Sequence, residues 1–475
     1  MKIHCSLFFF NAILLCLLLS SGSEAYAKTG TTAWLTRFDI STREKITDHC
    51  QEAKSAGFDS LLVQVRGRAD AFYTSSIAPR SEYLQETSPD FDPLSETLSS
   101  CAPIPVTAWL NVYYLWTGDT PPEDKNHPGH PDKDWIIHDA DGRPVSEYTE
   151  LERNLGWIEG TYADPSSEKY RTLMVDVVRE LVRRYPVNGI HLDFVRYPGI
   201  PYGHNSKTAT LFTHKWGFDP KWIPTDIPDL ETWLDGSMPL SDRIMTTAAL
   251  FWADLRAAQI TAMVKALKRA LEGTGRDLEL SAAIFPDAME AFMEKGQDWQ
   301  TWARKGLVDT LSPMAYFGSQ GRVTAQLQDV IAFRDTNGLN LNLWAGLGAY
   351  IKDPWEISQE ADSARIAGYN TFSLFSLGHL MRKKGRTGPY LAAMKYPLPV
   401  PDDAEDFDDK SSTFLRPHRR LSLSGSALTS DGKNLGLIVY KALGGRIPSV
   451  QTFNKIIKKR WEEFNTALPL LLARI

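Results

Sequence analysis

Asp193 closes a short apolar run, Gly189-Ile190-His191-Leu192-Asp193, and Phe194-Val195-Arg196-Tyr197-Pro198 follows it. A carboxyl at the end of a buried strand is costly unless it is solvated, paired or put to use. His191 sits two residues back, so the period-two alternation of a strand puts it on the same side. Polar groups recur at the ends of similar runs: Asp39; Gln64 and Arg66; Asn111 and Tyr113; Asp287; Tyr316; Trp344. Carboxyls gathered at one rim among Trp and Tyr suit glycoside hydrolysis. That reaction uses one carboxyl to protonate the leaving oxygen and a second to attack or to activate water. Asp193 and Asp287, which end neighbouring strands, are the expected catalytic pair, with Asp39 a third candidate across the barrel. Gln64, Arg66, Asn111, Tyr113, His191, Arg196, Tyr316 and Trp344 are the expected substrate-binding residues, by hydrogen bonds to hydroxyls and stacking on sugar faces. The opposing expectation is an ion-pair network, such as Arg66 with Asp193, that only closes the top of the fold.

These residues need a scaffold that brings strand ends together. Short β-rich runs alternate with amphipathic helices. Strands are expected at 31–39, 60–67, 105–116, 189–197, 278–286, 309–317, 341–350 and 370–378. Helices are expected at 41–57, 93–101, 165–185, 241–272, 298–306, 323–336, 354–368 and 388–396, with Asp164 capping the third and Pro165 opening it. Eight strand–helix units give the α/β class and a (β/α)8 TIM barrel over residues 31–396. The two longest insertions, 117–163 and 198–240, follow strands three and four. In such a barrel both lie on the mouth face, where chemistry is done.

The ends of the chain read differently. Residues 1–27 look like a signal peptide: Lys2, an apolar run from Leu7 to Leu19, then Ala25-Tyr26-Ala27 as a cleavage site. The run is short for a transmembrane span, so the expected product is periplasmic or secreted, with no integral membrane segment after cleavage. Residues 397–475 begin rich in Pro and Asp, then turn polar, basic and Ser-rich, and read as a linker and partly disordered tail. After cleavage two cysteines remain, Cys50 and Cys101. Export permits a bridge, but both fall on expected helices and two cysteines make no framework, so free thiols are favoured.

The formal net charge of −6 gives no reason to expect nucleic-acid binding. The chain has no H-E-x-x-H, no G-x-S-x-G, no P-loop and no dinucleotide fingerprint. No cofactor and no metal are expected, and His127 and His130 read as solvated loop histidines.

Several segments together resemble the glycosyl hydrolase-like 10 family of exported bacterial barrel proteins. They are Ala33-Trp34-Leu35-Thr36, residues 63–73 (Val-Gln-Val-Arg-Gly-Arg-Ala-Asp-Ala-Phe-Tyr), Ala108-Trp109-Leu110-Asn111 and 189–198. Leu311-Ser312-Pro313-Met314-Ala315-Tyr316 and Gly346-Leu347-Gly348-Ala349-Tyr350 also match. The resemblance implies a (β/α)8 barrel and carbohydrate hydrolysis at the cell envelope. The family often carries two consecutive acids at the end of strand four. Here the second is Phe194, which leaves the partner of Asp193 unassigned. The expectation is therefore an exported glycoside hydrolase acting on a cell-envelope or extracellular polysaccharide or oligosaccharide by carboxylate acid/base catalysis. Its rivals are a non-catalytic carbohydrate-binding barrel, a substrate-assisted hydrolase of N-acetylated amino sugars in which Asp193 orients the acetamide and Tyr316 supports it, and an envelope scaffold with a plugged mouth.

Overall fold

The computed structural model describes residues 30–401, apart from 157, 205–206, 218, 224–239, 317–319 and 383–386 and the side chains of 240–244. The expected signal segment, most of the expected tail and the tip of the sixth expected strand lie outside the described residues.

Each expected strand forms, and the chain alternates between strand and helix. The strands are β1 (Gly30–Leu35), β2 (Ser60–Arg66), β3 (Val106–Asn111), β4 (Tyr114–Trp116), β5 (Thr161–Tyr162), β6 (Gly189–Asp193), β7 (Glu279–Ile284), β8 (Thr310–Ala315), β9 (Asn342–Leu347) and β10 (Thr371–Leu374). Eight of them close a parallel barrel in the order β1, β2, β3, β6, β7, β8, β9, β10 and back to β1. This is the (β/α)8 TIM barrel expected from the alternation. The third expected strand divides in two. β3 stops at Asn111, and β4 leaves the wall to pair antiparallel with β5 inside the first long insertion.

Alternation sorts the strand residues between two layers. Ala33, Leu35, Leu61, Val63, Ala108, Leu110, Ile190 and Leu192 face the helices in the main core. Trp34, Leu62, Trp109 and Ala283 fill the barrel interior, with Met314, Trp344 and Phe375 against them. Local signals set the helix ends. Thr42 caps Arg43–Ala56 by accepting from Lys45 N, and Gly57 closes it at φ 81°, a left-handed conformation that suits glycine. The third helix starts later than expected. It runs Glu168–Arg184 with Ser167 as its N-cap, while Asp164 accepts instead from Ser166 N at 2.9 Å. Cys50 and Cys101 are bridged, against the expectation of free thiols, and tie helix Arg43–Ala56 to Pro93–Cys101. Two helices packed side by side bring the thiols together, which spacing in the chain does not show. The described chain stays attached to the barrel past Tyr396, because Leu398 N donates to Ser358 Oγ at 2.7 Å.

Candidate active site

The inward-facing residues at the C-terminal ends of the strands line a cavity of about 390 Å³. Trp34, Thr36 and Arg37 contribute from the end of β1, Gln64 from β2, Trp109 and Asn111 from β3 and Asp193 from β6; Met314 and Tyr316 come from the end of β8, and Phe375 from the end of β10, beside β1. Asn111 and Asp193 are register partners on adjacent strands. Asn111 is fixed by its own bonds: Oδ1 accepts from Trp109 Nε1 at 3.1 Å and Nδ2 donates to Gly67 O at 2.9 Å. Gln64 Oε1 accepts from both the Arg37 backbone N–H and Nη1, each at 3.2 Å.

Asp193 is buried, and burial pushes its carboxyl above the ordinary aspartate value even though the Arg196 charge and the Phe194 N–H pull the other way. The Phe194 N–H reaches Asp193 Oδ1 at 2.6 Å. Phe194 itself adopts φ 47°, a left-handed conformation that costs a residue with a Cβ roughly 1–2 kcal/mol. Its ring then lies flat under the Arg196 guanidinium, 3.9 Å from the ring centre. Tyr316 stands two strands round the wall, just past the end of β8, and its phenol is raised well above the usual value by burial and then by the charge of Asp193.

Arg196 links Asp193 to a second carboxylate. Its Nη1 is 3.3 Å from Asp193 Oδ1 and its Nη2 is 3.6 Å from Glu159 Oε1. The other Glu159 oxygen accepts from the Tyr162 hydroxyl at 2.7 Å. The Glu159 side chain is 48% exposed, so water reaches it. The β4–β5 hairpin carries it to the rim: Tyr114 pairs with Tyr162, and the Tyr114 hydroxyl donates to Glu159 O at 3.2 Å. Gly160 makes this hairpin possible, because a Cβ there would come within 2.1 Å of Trp116 O.

The structure gathers five of the expected residues around this cavity: Asp193, Gln64, Asn111, Arg196 and Tyr316. His191 points into the barrel as expected but sits below the cavity, against Trp34, with Nδ1 2.8 Å from Ser281 Oγ. Burial lowers it to about 3, so it stays neutral. Trp344 also lies deep, in register with Thr371 at the start of β10. Arg66 does not share a face with Gln64. A bulge in β2 places Gln64 opposite Trp109 and Arg66 opposite the next residue, Leu110. Arg66 therefore turns into the helix layer, where Nη1 donates to Asn111 O at 2.7 Å, and it makes no pair with Asp193. Tyr113 also faces the helix layer, beside Tyr170.

Asp287 does not line the cavity. It is exposed and caps helix Ala288–Met293, accepting from Glu290 N at 2.9 Å. Asp39 is a structural carboxylate, held by Thr36 N and Oγ at 2.8 Å each and by His49 Nε2 at 3.5 Å. His127 is not solvated but 3% exposed, edge-on to Trp116. Among the described residues no His, Cys, Asp and Glu group is arranged to hold a metal ion. Sequence reasoning missed Glu159, Arg37 and Phe375. The alternating Tyr114-Leu115-Trp116 and the Gly160-Thr161-Tyr162 step were the available signal for the hairpin that carries Glu159.

A closed parallel barrel, with a buried carboxyl and aromatic walls at the C-terminal ends of its strands, has the architecture of barrel glycosidases. The chain belongs to the glycosyl hydrolase-like 10 family, whose model matches residues 29–359. A glycosyl hydrolase, YngK, of Bacillus subtilis (strain 168) is 25% identical over 175 residues, 35% of this chain. The chain spans 31% of that relative's length. Among solved structures, the catalytic domain of β-amylase from Paenibacillus polymyxa superposes with a TM-score of 0.51 at 12% identity, over 78% of this chain and 100% of that one. At that identity the likeness is one of fold.

Proposed function

We propose that the chain is a glycoside hydrolase in which Asp193 is the general acid and Glu159 the second carboxylate. The observation that carries this reading is a single guanidinium, Arg196, set between a buried carboxyl and a water-accessible one. A carboxyl raised by burial keeps its proton for a leaving oxygen. An exposed carboxylate at the rim can accept a proton from water or attack the anomeric carbon. Arg196 holds the two groups at the two ends of one planar fork. Trp34, Trp109 and Phe375 provide the apolar surface on which a sugar ring stacks.

The test is turnover on a polysaccharide panel by the wild type, Asp193→Asn and Glu159→Gln. Losses of a hundred- to ten-thousandfold in both variants support the pair, and azide or formate should restore activity to Glu159→Ala, whose truncation leaves room for the anion. The anomeric configuration of the first product then separates a nucleophilic Glu159 from a basic one. Tyr316, close enough for the charge of Asp193 to act on its phenol, favours a second reading in which a substrate acetamide attacks. Undiminished turnover of N-acetylated glycans by Glu159→Gln would select it. Glycan binding with no turnover by the wild type would leave a binding barrel.

We place this activity outside the cytoplasm, on a cell-envelope or extracellular glycan. The Cys50–Cys101 bridge supports an oxidising compartment, and the N-terminal pattern of Lys2, an apolar run and Ala25-Tyr26-Ala27 supports export. N-terminal sequencing of the protein from cell fractions checks both: Lys28 as the first residue of an extracytoplasmic form is expected, and Met1 on a cytoplasmic form would overturn it.

A further inference from the structure

The cavity holds two guanidinium groups in different states. Arg196 has a carboxyl on each side, Asp193 at 3.3 Å and Glu159 at 3.6 Å. Arg37 has no carboxylate within ion-pair distance among the described residues. Its side chain donates only from Nη1, to the neutral amide oxygen of Gln64. Its Nε is buried without a partner. Asp70 acts on it only at longer range, and that carboxylate is engaged by Arg68 N at 3.0 Å and Ser81 Oγ at 2.6 Å.

The fold nevertheless builds a seat for this cation. Gly67 leaves the space it occupies, since a Cβ there would come within 2.5 Å of Arg37 Cδ and 2.7 Å of Nη1. The Phe38 ring lies 4.4 Å from its central carbon. Gln64, which orients it, is itself tied to Asn111 at 3.4 Å. A half-buried cation held in place without a counter-charge is destabilising on its own. Burial and the nearby charge of Arg68 both work against its protonation, with Asp70 opposing them. The cost is offset if the ligand brings the missing anion, and a guanidinium fork matches a carboxylate or a sulfate by paired hydrogen bonds.

We propose that Arg37 is a specificity residue that recognises an acidic group on the glycan, a sugar carboxylate or a sulfate ester. This rests on the cavity being a glycan site and gives that glycan a chemical class: it is acidic rather than neutral.

The test is equilibrium binding to the full chain carrying Asp193→Asn, so that no substrate is consumed. The probes are oligosaccharides that differ at one position: a uronate, the same sugar reduced at the carboxyl, and the same backbone with a sulfate ester. The acidic forms should bind at least tenfold more tightly than the reduced form, and the gap should narrow with salt. Adding Arg37→Gln should erase the gap, while Arg37→Lys, which keeps the charge and loses the fork, should retain part of it. The ranking of uronate and sulfate identifies which anion is read. Equal affinity for acidic and reduced forms, no binding of either, or a gap that persists in Arg37→Gln would overturn the proposal. Turnover is scored separately with Asp193 intact. An acid preference in binding without turnover removes the hydrolase and leaves Arg37 in its role, whereas turnover indifferent to the acidic group removes only the role of Arg37.

Discussion

Arg196 Nη1 stands 3.3 Å from Asp193 Oδ1, and both side chains are almost wholly withdrawn from water. An isolated pair of this kind would normally hold the carboxyl ionised. Here burial outweighs the arginine, and the Asp193 carboxyl is raised. The arginine also reaches Glu159, with Nη2 3.6 Å from Oε1.

The pH dependence of turnover follows from that balance. A general acid must be protonated, so kcat/KM should fall as pH rises through the raised value of Asp193. Asp193→Asn should lose that alkaline limb together with a hundredfold or more of the rate. The raised value also means that the folded chain holds this proton more tightly than the unfolded chain. The contribution to stability is complete below the unfolded value and is lost as pH climbs through the folded one. A pH–rate profile of the wild type beside the Asn variant checks the assignment; an alkaline limb unchanged in Asp193→Asn would assign the acid to another group.

Gly160→Ala tests whether the β4–β5 hairpin aims Glu159. The added methyl would meet Trp116 O at 2.1 Å, so the two strands must part. A displacement of about 1 Å at a reacting group costs on the order of a hundredfold. Turnover should drop by ten- to a hundredfold while far-ultraviolet circular dichroism keeps the barrel signal. Full activity in Gly160→Ala would remove Glu159 from the chemistry.

Asp39 and His49 give the fold its own pH window. Burial opposes charge on both, but their mutual bond prevails, lowering Asp39 and raising His49. The His49 share of stability is complete below its unfolded value of about 6.5 and is lost as pH rises through the raised folded value. The Asp39 share is complete above about 3.9 and is lost as pH falls through the lowered one. Melting temperature should therefore be highest between about pH 4 and 6.5, and His49→Gln should flatten the alkaline decline. The expected loss at pH 6 is about 1.5–3 kcal/mol, the usual worth of a hydrogen bond to a charged group. An unchanged profile in the variant would show that the pair contributes nothing.

The Cys50–Cys101 bridge closes a loop with a sequence separation of 51. Its removal by Cys50→Ser with Cys101→Ser should cost roughly 2–5 kcal/mol in denaturant unfolding. The oxidised wild type, but not the double variant, should lose stability on addition of a thiol reductant. Identical midpoints with and without reductant would mean that the thiols are free.

The barrel was legible in the sequence because its signals are local. Period-two alternation, helix caps and eight strand–helix units are enough to assign the fold and to place Asp193 at a strand end, on the same side as His191. The N-cap role of Asp287 is also written locally, as Asp287 followed three residues later by Glu290.

Other features depend on contacts that no window of sequence contains. One extra residue in β2 turns Arg66 away from Gln64, because a strand's side chains reverse with a single-residue slip. Cys50 meets Cys101 only when two helices pack. Arg196 finds Glu159 across a hairpin that begins 82 residues earlier in the chain, at Tyr114. The chain by itself determined which residues form the wall and that an acid ends β6. Tertiary structure alone decided that this acid is raised, that Arg196 joins it to Glu159 and that, among the described residues, Arg37 has no carboxylate within ion-pair distance, because proton affinity and ion pairing depend on distance and on water, and both are set by folding.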